Sequence, residues 1–289
     1  MNTPGSVNTP TEDVLTERPA REVWIVARRE TVAALGRRGF VASTALLLAA
    51  LVYTVLGLDP AQPVTGPGVR AAVGFGTGTL IFLSLTLYGI SLAQGVVEEK
   101  AGRVAELLLA TIRPWQLLAG KVIGVGVGAV VQLGVLVGGG LALAVATGRL
   151  GLDGPILAVA GWGAVWFALG FGLYATLIAA AGATVSRQED VSSAVQPVLM
   201  LLFAPFVASL YLGGDPTGPL VGWLSMVPLL SPFLMPIRMA FGPVPLWQSL
   251  LAVVLTAVAV TVAARLAGRI YAGSVLRTGG RIRLRQALA

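Results

Sequence analysis

The sequence contains no histidine and no cysteine. Imidazole and thiolate ligands, the corresponding nucleophiles and disulfides are therefore outside its chemistry, and no metal or redox centre is expected. Its richest run of ionisable side chains between apolar stretches is residues 95–121, GVVEEKAGRVAELLLATIRPWQLLAGK. Glu99 and Arg103 are four apart and Arg103 and Glu106 three apart, so one face of a helix here carries a short ladder of ion pairs. Val104, Leu107, Leu108 and Leu109 give the same helix an apolar side, and Pro114 breaks it. A short amphipathic helix of this kind suits docking against a soluble partner; an ordinary solvated linker accounts for it equally well.

Other candidate chemistry is weaker. Gly74, Gly76 and Gly78 resemble a phosphate-binding loop only superficially, since they lie inside an apolar run with no strand before it. Gly120 and Lys121 are followed by Val122, where a P-loop needs Ser or Thr, so ATP is not bound by that route. No ionisable residue falls in the middle of an apolar run, which deprives a proton relay, an ion-coupled carrier or a self-sufficient enzyme of the groups it would use. Uncharged polar residues do occur there: Thr77, Thr79, Ser84, Thr86, Tyr88, Ser91, Gln94, Gln132, Tyr174 and Thr176. Hydrogen bonding between helices explains them; the sharper reading makes Thr77, Ser84, Tyr88, Gln94 and Gln132 candidates for lining a pathway. If the chain pumps anything, its energy source is expected on another subunit.

The elements that position these residues are helices in a bilayer. The 289 residues are 56% hydrophobic and only 11% charged, against about 25% charged in soluble domains. A hydrocarbon core of about 30 Å needs about 20 apolar residues of helix. Residues 39–58, 71–96, 121–146, 155–185 and 246–270 meet that length without a central charge, and 192–212 meets it despite Pro197 and Pro205. Residues 219–245 are apolar but carry Pro228, Pro232, Pro236, Pro243, Pro245 and Arg238, so a pair of short half-helices entering from one side is expected rather than a seventh span. Gly120, Gly124 and Gly128, and Gly134 and Gly138, repeat every fourth residue and make smooth strips for close helix packing.

Six spans return both ends of residues 39–272 to one side. That arrangement places 17 of the 20 basic residues on that side and leaves Arg70, Arg149 and Arg238 on the other, so the rich side is cytoplasmic. The net charge of +7 thus orients a membrane protein rather than meeting nucleic acid. Residues 20–38 mix Trp24, Ile25, Val26, Val32 and Leu35 with five arginines and read as an amphipathic helix on the inner leaflet. Residues 1–19, rich in Pro, Thr, Asn and acid without the apolar core of a signal peptide, read as a retained, disordered cytoplasmic arm. Residues 273–289 read as a basic cytoplasmic tail. The expected fold class is an all-α membrane protein: six transmembrane helices in one domain, an N-terminal interfacial helix and a re-entrant hairpin before the last span.

The run VVEEKAGRVAELLLATIRPWQLLAGK resembles the signature of type-2 ATP-binding-cassette (ABC) transporter permeases. FALGFGLYATLIAAAGATVSRQED (167–190), SPFLMPIRMAFGPVPLWQ (231–248) and RLAGRIYAGSVLRTGGRIRLRQAL (265–288) are similar to the sodium-extrusion (NatB-like) branch, in matching order over residues 20–288. The resemblance implies a six-span exporter subunit without its own ATPase site. It also implies pairing with a second permease copy among membrane lipids, and docking to a cytoplasmic ABC ATPase that holds the ATP and Mg. By the same resemblance Glu98, Glu99, Arg103, Glu106, Pro114 and Trp115 transmit nucleotide-driven motion. Many members of that branch carry a large extracytoplasmic insertion between spans one and two where this chain has only residues 59–70, so a sodium substrate does not carry over. The competing reading is a membrane scaffold or immunity protein that binds without pumping.

Overall fold

The computed structural model describes residues 18–36, 38–57, 67–101, 114–148 and 154–275. The described elements are helical: α1 (Arg18–Gly36), α2 (Arg38–Gly57), α3 (Pro67–Ala101), α4 (Pro114–Ala146), α5 (Gly154–Ala183), α6 (Val191–Leu212), α7 (Pro219–Leu224), α8 (Ser231–Phe241) and α9 (Leu246–Val275). Helices are what these sequences permit, because long apolar runs out of water must pair every backbone N–H and C=O within the segment.

Five segments are long and apolar enough to cross a membrane: Val73–Lys100, Trp115–Ala146, Gly161–Ala183, Gln188–Leu212 and Leu246–Gly273. A sixth is counted if Arg21–Gly36 and Phe40–Tyr53, bent by 60° at the break between them, form one unit. Two expected boundaries move. At 35 residues α3 is roughly 50 Å long, so it outruns a core of about 30 Å and carries Glu98, Glu99 and Lys100 beyond it. In turn α4 begins at Pro114 rather than near residue 121, because a proline at the first helical position lacks only an N–H that would be unpaired there anyway. The loop expected over 95–121 is thus largely the ends of two long helices, and residues 102–113, including Arg103 and Glu106, lie outside the described residues, as do most of the expected arm and tail.

Prolines divide residues 219–245 into two short helices. Pro219 opens α7, Pro228 falls in the turn, and Pro232 stands in the first turn of α8. At 11 residues α8 spans only about 16 Å. Ser231 to Ile237 are nevertheless all buried, because α8 is wedged against α3 and α5. The core forms around it. Tyr174 and Phe206 pack on Phe233 with ring centroids 6.1 and 6.2 Å away, and Phe82 stacks on Phe206 at 4.3 Å. The Tyr174 hydroxyl donates to the Leu229 carbonyl at 2.8 Å, which ties α5 to the α7–α8 turn.

The smooth strip on α4 is occupied by α1. A Cβ at Gly120 would stand 2.7 Å from Val26 Cβ, one at Gly124 would overlap the Ala27 carbonyl, and one at Gly128 would reach Ala34 Cβ at 3.3 Å. The contact residues Val26, Ala27, Glu30 and Ala34 follow the three- and four-residue spacing of one helix face. Thr31 Oγ1 adds a hydrogen bond to the Gly124 carbonyl at 3.0 Å. The apolar residues of α1 are therefore divided: Val26 is buried on α4, while Trp24, Ile25 and Val32 remain exposed beside Arg21 and Arg28. Around Gly134 and Gly138 the space within 4 Å is open among the described residues.

Candidate functional site: a buried charge cluster on three helices

Where α1, α3 and α4 meet, two carboxylates and two cations converge. Arg29 Nη2 donates to Glu30 Oε1 at 2.8 Å and to Glu99 Oε1 at 2.5 Å; Lys121 Nζ lies 3.2 Å from Glu99 Oε1 and 3.5 Å from Glu30 Oε1. The side chains of Lys121, Glu30 and Glu99 are only 5%, 10% and 11% exposed. Charges this buried survive only when paired, and losing one partner leaves the other without compensation. The cluster is neutral as a whole, and Glu99 Oε2 is buried with no hydrogen-bond donor among the described residues.

Each helix delivers its residue for a local reason. Glu30 sits on the α1 face that packs on α4, next to the glycine strip that lets the two backbones approach. Lys121 follows Gly120 directly, and its Nζ occupies the space beside Gly95, where a Cβ would stand 3.2 Å away. Glu99 lies one turn beyond Gly95, on the part of α3 that overshoots the apolar core.

Neighbouring contacts join two more helices to this end. Lys100 Nζ donates to the Ala183 carbonyl at 3.0 Å, a cation on the last turn of α5 where the helix dipole favours it. Gln188 Nε2 donates to the Gln94 carbonyl at 3.1 Å. Trp115 Cβ faces Gly268 of α9, where a Cβ would lie 3.3 Å away.

The residues singled out from sequence are distributed as follows. Glu99 is in the cluster, Glu98 is exposed beside it, and Trp115 is half exposed against α9. Pro114 starts α4. Among the pathway candidates, Thr77 Oγ1 bonds the Val73 carbonyl of its own helix at 2.7 Å, the usual way a threonine satisfies itself in a helix. Ser84 is buried and Gln94 exposed. Gln132 is fully buried and donates to Thr44 Oγ1 at 2.8 Å and Ser43 Oγ at 3.2 Å, joining α4 to α2. Tyr88 lines a cavity of about 150 Å³ together with Glu30, Phe40, Ser43, Ser91 and Lys121, although its own hydroxyl is buried without a partner among the described residues. Sequence reasoning did not single out Arg29, Glu30 or Lys121 for this cluster. The available signal was Glu30, an acid on the same face of α1 as Val26, Ala27 and Ala34.

Residues 60–266, more than half of the chain, match the family model for ABC-2 family transporter proteins. The chain is 30% identical over 210 residues to the uncharacterized protein YhaP of Bacillus subtilis (strain 168), covering 69% of this chain and 50% of YhaP. It is 22% identical over 198 residues to the uncharacterized protein MJ1024 of Methanocaldococcus jannaschii, covering 68% and 48%. The chain spans about half the length of these curated relatives. With several apolar helices of membrane-crossing length and this match, the chain is a multi-pass membrane protein and belongs to the ABC-2 family of ABC transporter permeases.

Proposed function

We propose that this chain is the permease subunit of an ABC exporter and moves a solute outward, in the class of ions, drugs or lipid-like molecules. The ATP is hydrolysed on a separate cytoplasmic subunit that holds the nucleotide and its Mg²⁺. In this reading α2, α3, α4, α5, α6 and α9 cross the bilayer, α1 lies in the inner interface, and α7 and α8 form a re-entrant hairpin. Both termini face the cytoplasm, as the one-sided distribution of basic residues argues, and a second permease copy completes the pathway among membrane lipids. The sodium-extrusion branch remains the finest motif resemblance, with the short 59–70 connection arguing against inheriting its substrate.

The observation that carries the reading is the charge cluster. Residues 102–113 join α3 to α4, so a push on that connection reaches Glu99 just before it and Lys121 just after it. Glu99 is tied to Arg29 and Lys121 to Glu30 of α1, so three helices respond together. Glu98, Arg103, Glu106, Pro114 and Trp115 stand on or beside the same connection and complete the proposed contact with the ATPase.

The test is reconstitution with the cognate ATPase, followed by permease-dependent ATP turnover and uptake of sodium, dyes and lipid analogues into inside-out vesicles. Glu99→Lys is expected to lower turnover at least tenfold while the subunits still assemble, and adding Lys121→Glu to restore part of it by exchanging the charges. Uptake that is equal with and without ATP would replace the exporter with a non-pumping scaffold. Unchanged turnover in Glu99→Lys would remove the cluster from coupling.

A further inference from the structure

The opposite end of the bundle holds a cation of a different kind. Gly268 of α9 packs beside Trp115 at the end that carries the charge cluster. Gln248 lies 20 residues earlier on the same helix, about 30 Å away, which matches the hydrocarbon thickness. Arg238 is bonded to that Gln248, so it stands at headgroup depth in the other leaflet.

Arg238 of α8 donates from Nη1 to Ser225 Oγ at 2.7 Å and from Nη2 to Gln248 Oε1 at 2.9 Å. Both acceptors are neutral. A guanidinium has five N–H donors, so these bonds orient it across α7, α8 and α9 and leave three donors and the whole charge uncompensated among the described residues. Among the described residues no carboxylate lies within ion-pair distance of it; Asp215, the acid of the adjoining turn, accepts from Thr217.

The guanidinium opens on a cavity of about 290 Å³ bounded by Thr217, Gly222, Trp223, Trp247 and Gln248. Gly222 lies beside the guanidinium, and a Cβ there would meet Arg238 Nη2 only at ordinary contact distance, 3.8 Å. Trp223 and Trp247 are 71% and 57% exposed, and indole rings settle at the headgroup level of a bilayer.

We infer that this cavity binds the phosphate of a net-anionic phospholipid in the leaflet bordering α7, α8 and the start of α9, with Arg238 as the anion-binding group and the two tryptophans against the glycerol and upper acyl chains. The guanidinium fork matches a phosphate geometrically. Net-anionic lipid is favoured over zwitterionic lipid because the cavity holds a cation and no acid among the described residues. A lipid is favoured over a soluble anion because a free phosphate would leave both indole rings uncovered. The inference rests on the membrane assignment and not on the direction of transport or on any ATPase partner.

The test uses the full chain in lipid nanodiscs and reads tryptophan quenching by phospholipids brominated on the acyl chain. The signal from this site is the part lost in a Trp223→Phe/Trp247→Phe variant. Brominated phosphatidylglycerol is expected to quench it at about fivefold lower lipid fraction than brominated phosphatidylcholine, the ratio given by about 1 kcal/mol per basic residue at an anionic lipid surface. Arg238→Gln should reduce the preference to near one, Arg238→Lys should keep part of it, and the exposed control Arg187→Gln should keep all of it. Equal quenching by the two lipids in the unmodified chain, or a full preference in Arg238→Gln, would overturn the inference. Loss of the preference on adding excess inorganic phosphate would also overturn it, by assigning the cavity to a soluble anion.

Discussion

Replacing Gly124 with alanine adds one methyl group where the structure has no room for it. The new Cβ would overlap the Ala27 carbonyl and lie 2.5 Å from Glu30 Cβ. Neither neighbour is the free end of a flexible side chain, so α1 must shift away from α4. That shift strains the Thr31 to Gly124 hydrogen bond and draws Glu30 away from Lys121. Alanine by itself favours a helix by nearly 1 kcal/mol over glycine, and overpacking of this kind costs about 1–3 kcal/mol, so a net loss of up to about 2 kcal/mol is expected. At about 2–4 °C per kcal/mol for a chain of this size, the melting midpoint of the purified protein should fall by up to about 8 °C. Gly134→Ala is the matched control, because no described residue lies within 4 Å of its Cβ, and its midpoint should stay level or rise. Thermal melting of the two variants side by side, in one detergent, reads the difference. Equal midpoints for the two would refute the packing of α1 on the glycine strip.

Three further outcomes follow from buried groups. Lys121→Met leaves Glu30 and Glu99 with Arg29 as their remaining partner in the cluster, and should destabilise by about 3–5 kcal/mol; Glu30→Met combined with Lys121→Met should recover much of that in a double-mutant melting cycle. Gln132→Leu should change stability by no more than about 1 kcal/mol despite losing two hydrogen bonds, because Gln132 Oε1 has no partner to lose and Thr44 Oγ1 still donates to the Phe40 carbonyl; a drop twice as large in melting would contradict this. Tyr174→Phe removes the bond to the Leu229 carbonyl and should cost about 1–2 kcal/mol, visible as faster proteolysis within residues 225–230.

The helical architecture was legible because it rests on local properties. Uncharged runs of twenty residues read as long apolar helices, and the prolines between 219 and 245 announced short helices there, of which Pro228 falls in the turn and Pro232 in the first turn of α8, while Pro236 is carried inside α8. The spacing of Gly120, Gly124 and Gly128 announced a close approach but not the identity of the partner, because a smooth strip accepts any backbone. The occupant is α1, supplied by a segment that reads as lying on lipid. Glu99 shows the same boundary. Its spacing to Arg103 suggests a pair within one helix, and Arg103 lies outside the described residues; the partners that the structure does describe, Arg29, 70 residues away, and Lys121, are brought to Glu99 only by tertiary packing. Thr77 and Tyr88 looked alike as polar residues in one span, yet Thr77 is satisfied by its own helix and Tyr88 borders a cavity. Which outcome a polar residue meets depends on the neighbouring helix, which its own segment does not encode.

ATP turnover in the reconstituted complex shows whether an ATPase drives this bundle through the connection between α3 and α4. Turnover of the unmodified complex should exceed that of the isolated ATPase, Glu99→Lys should abolish the excess without dissociating the subunits, and Glu99→Lys with Lys121→Glu should bring part of it back. An excess that survives Glu99→Lys in full, in a complex that remains assembled, would exclude that route of coupling.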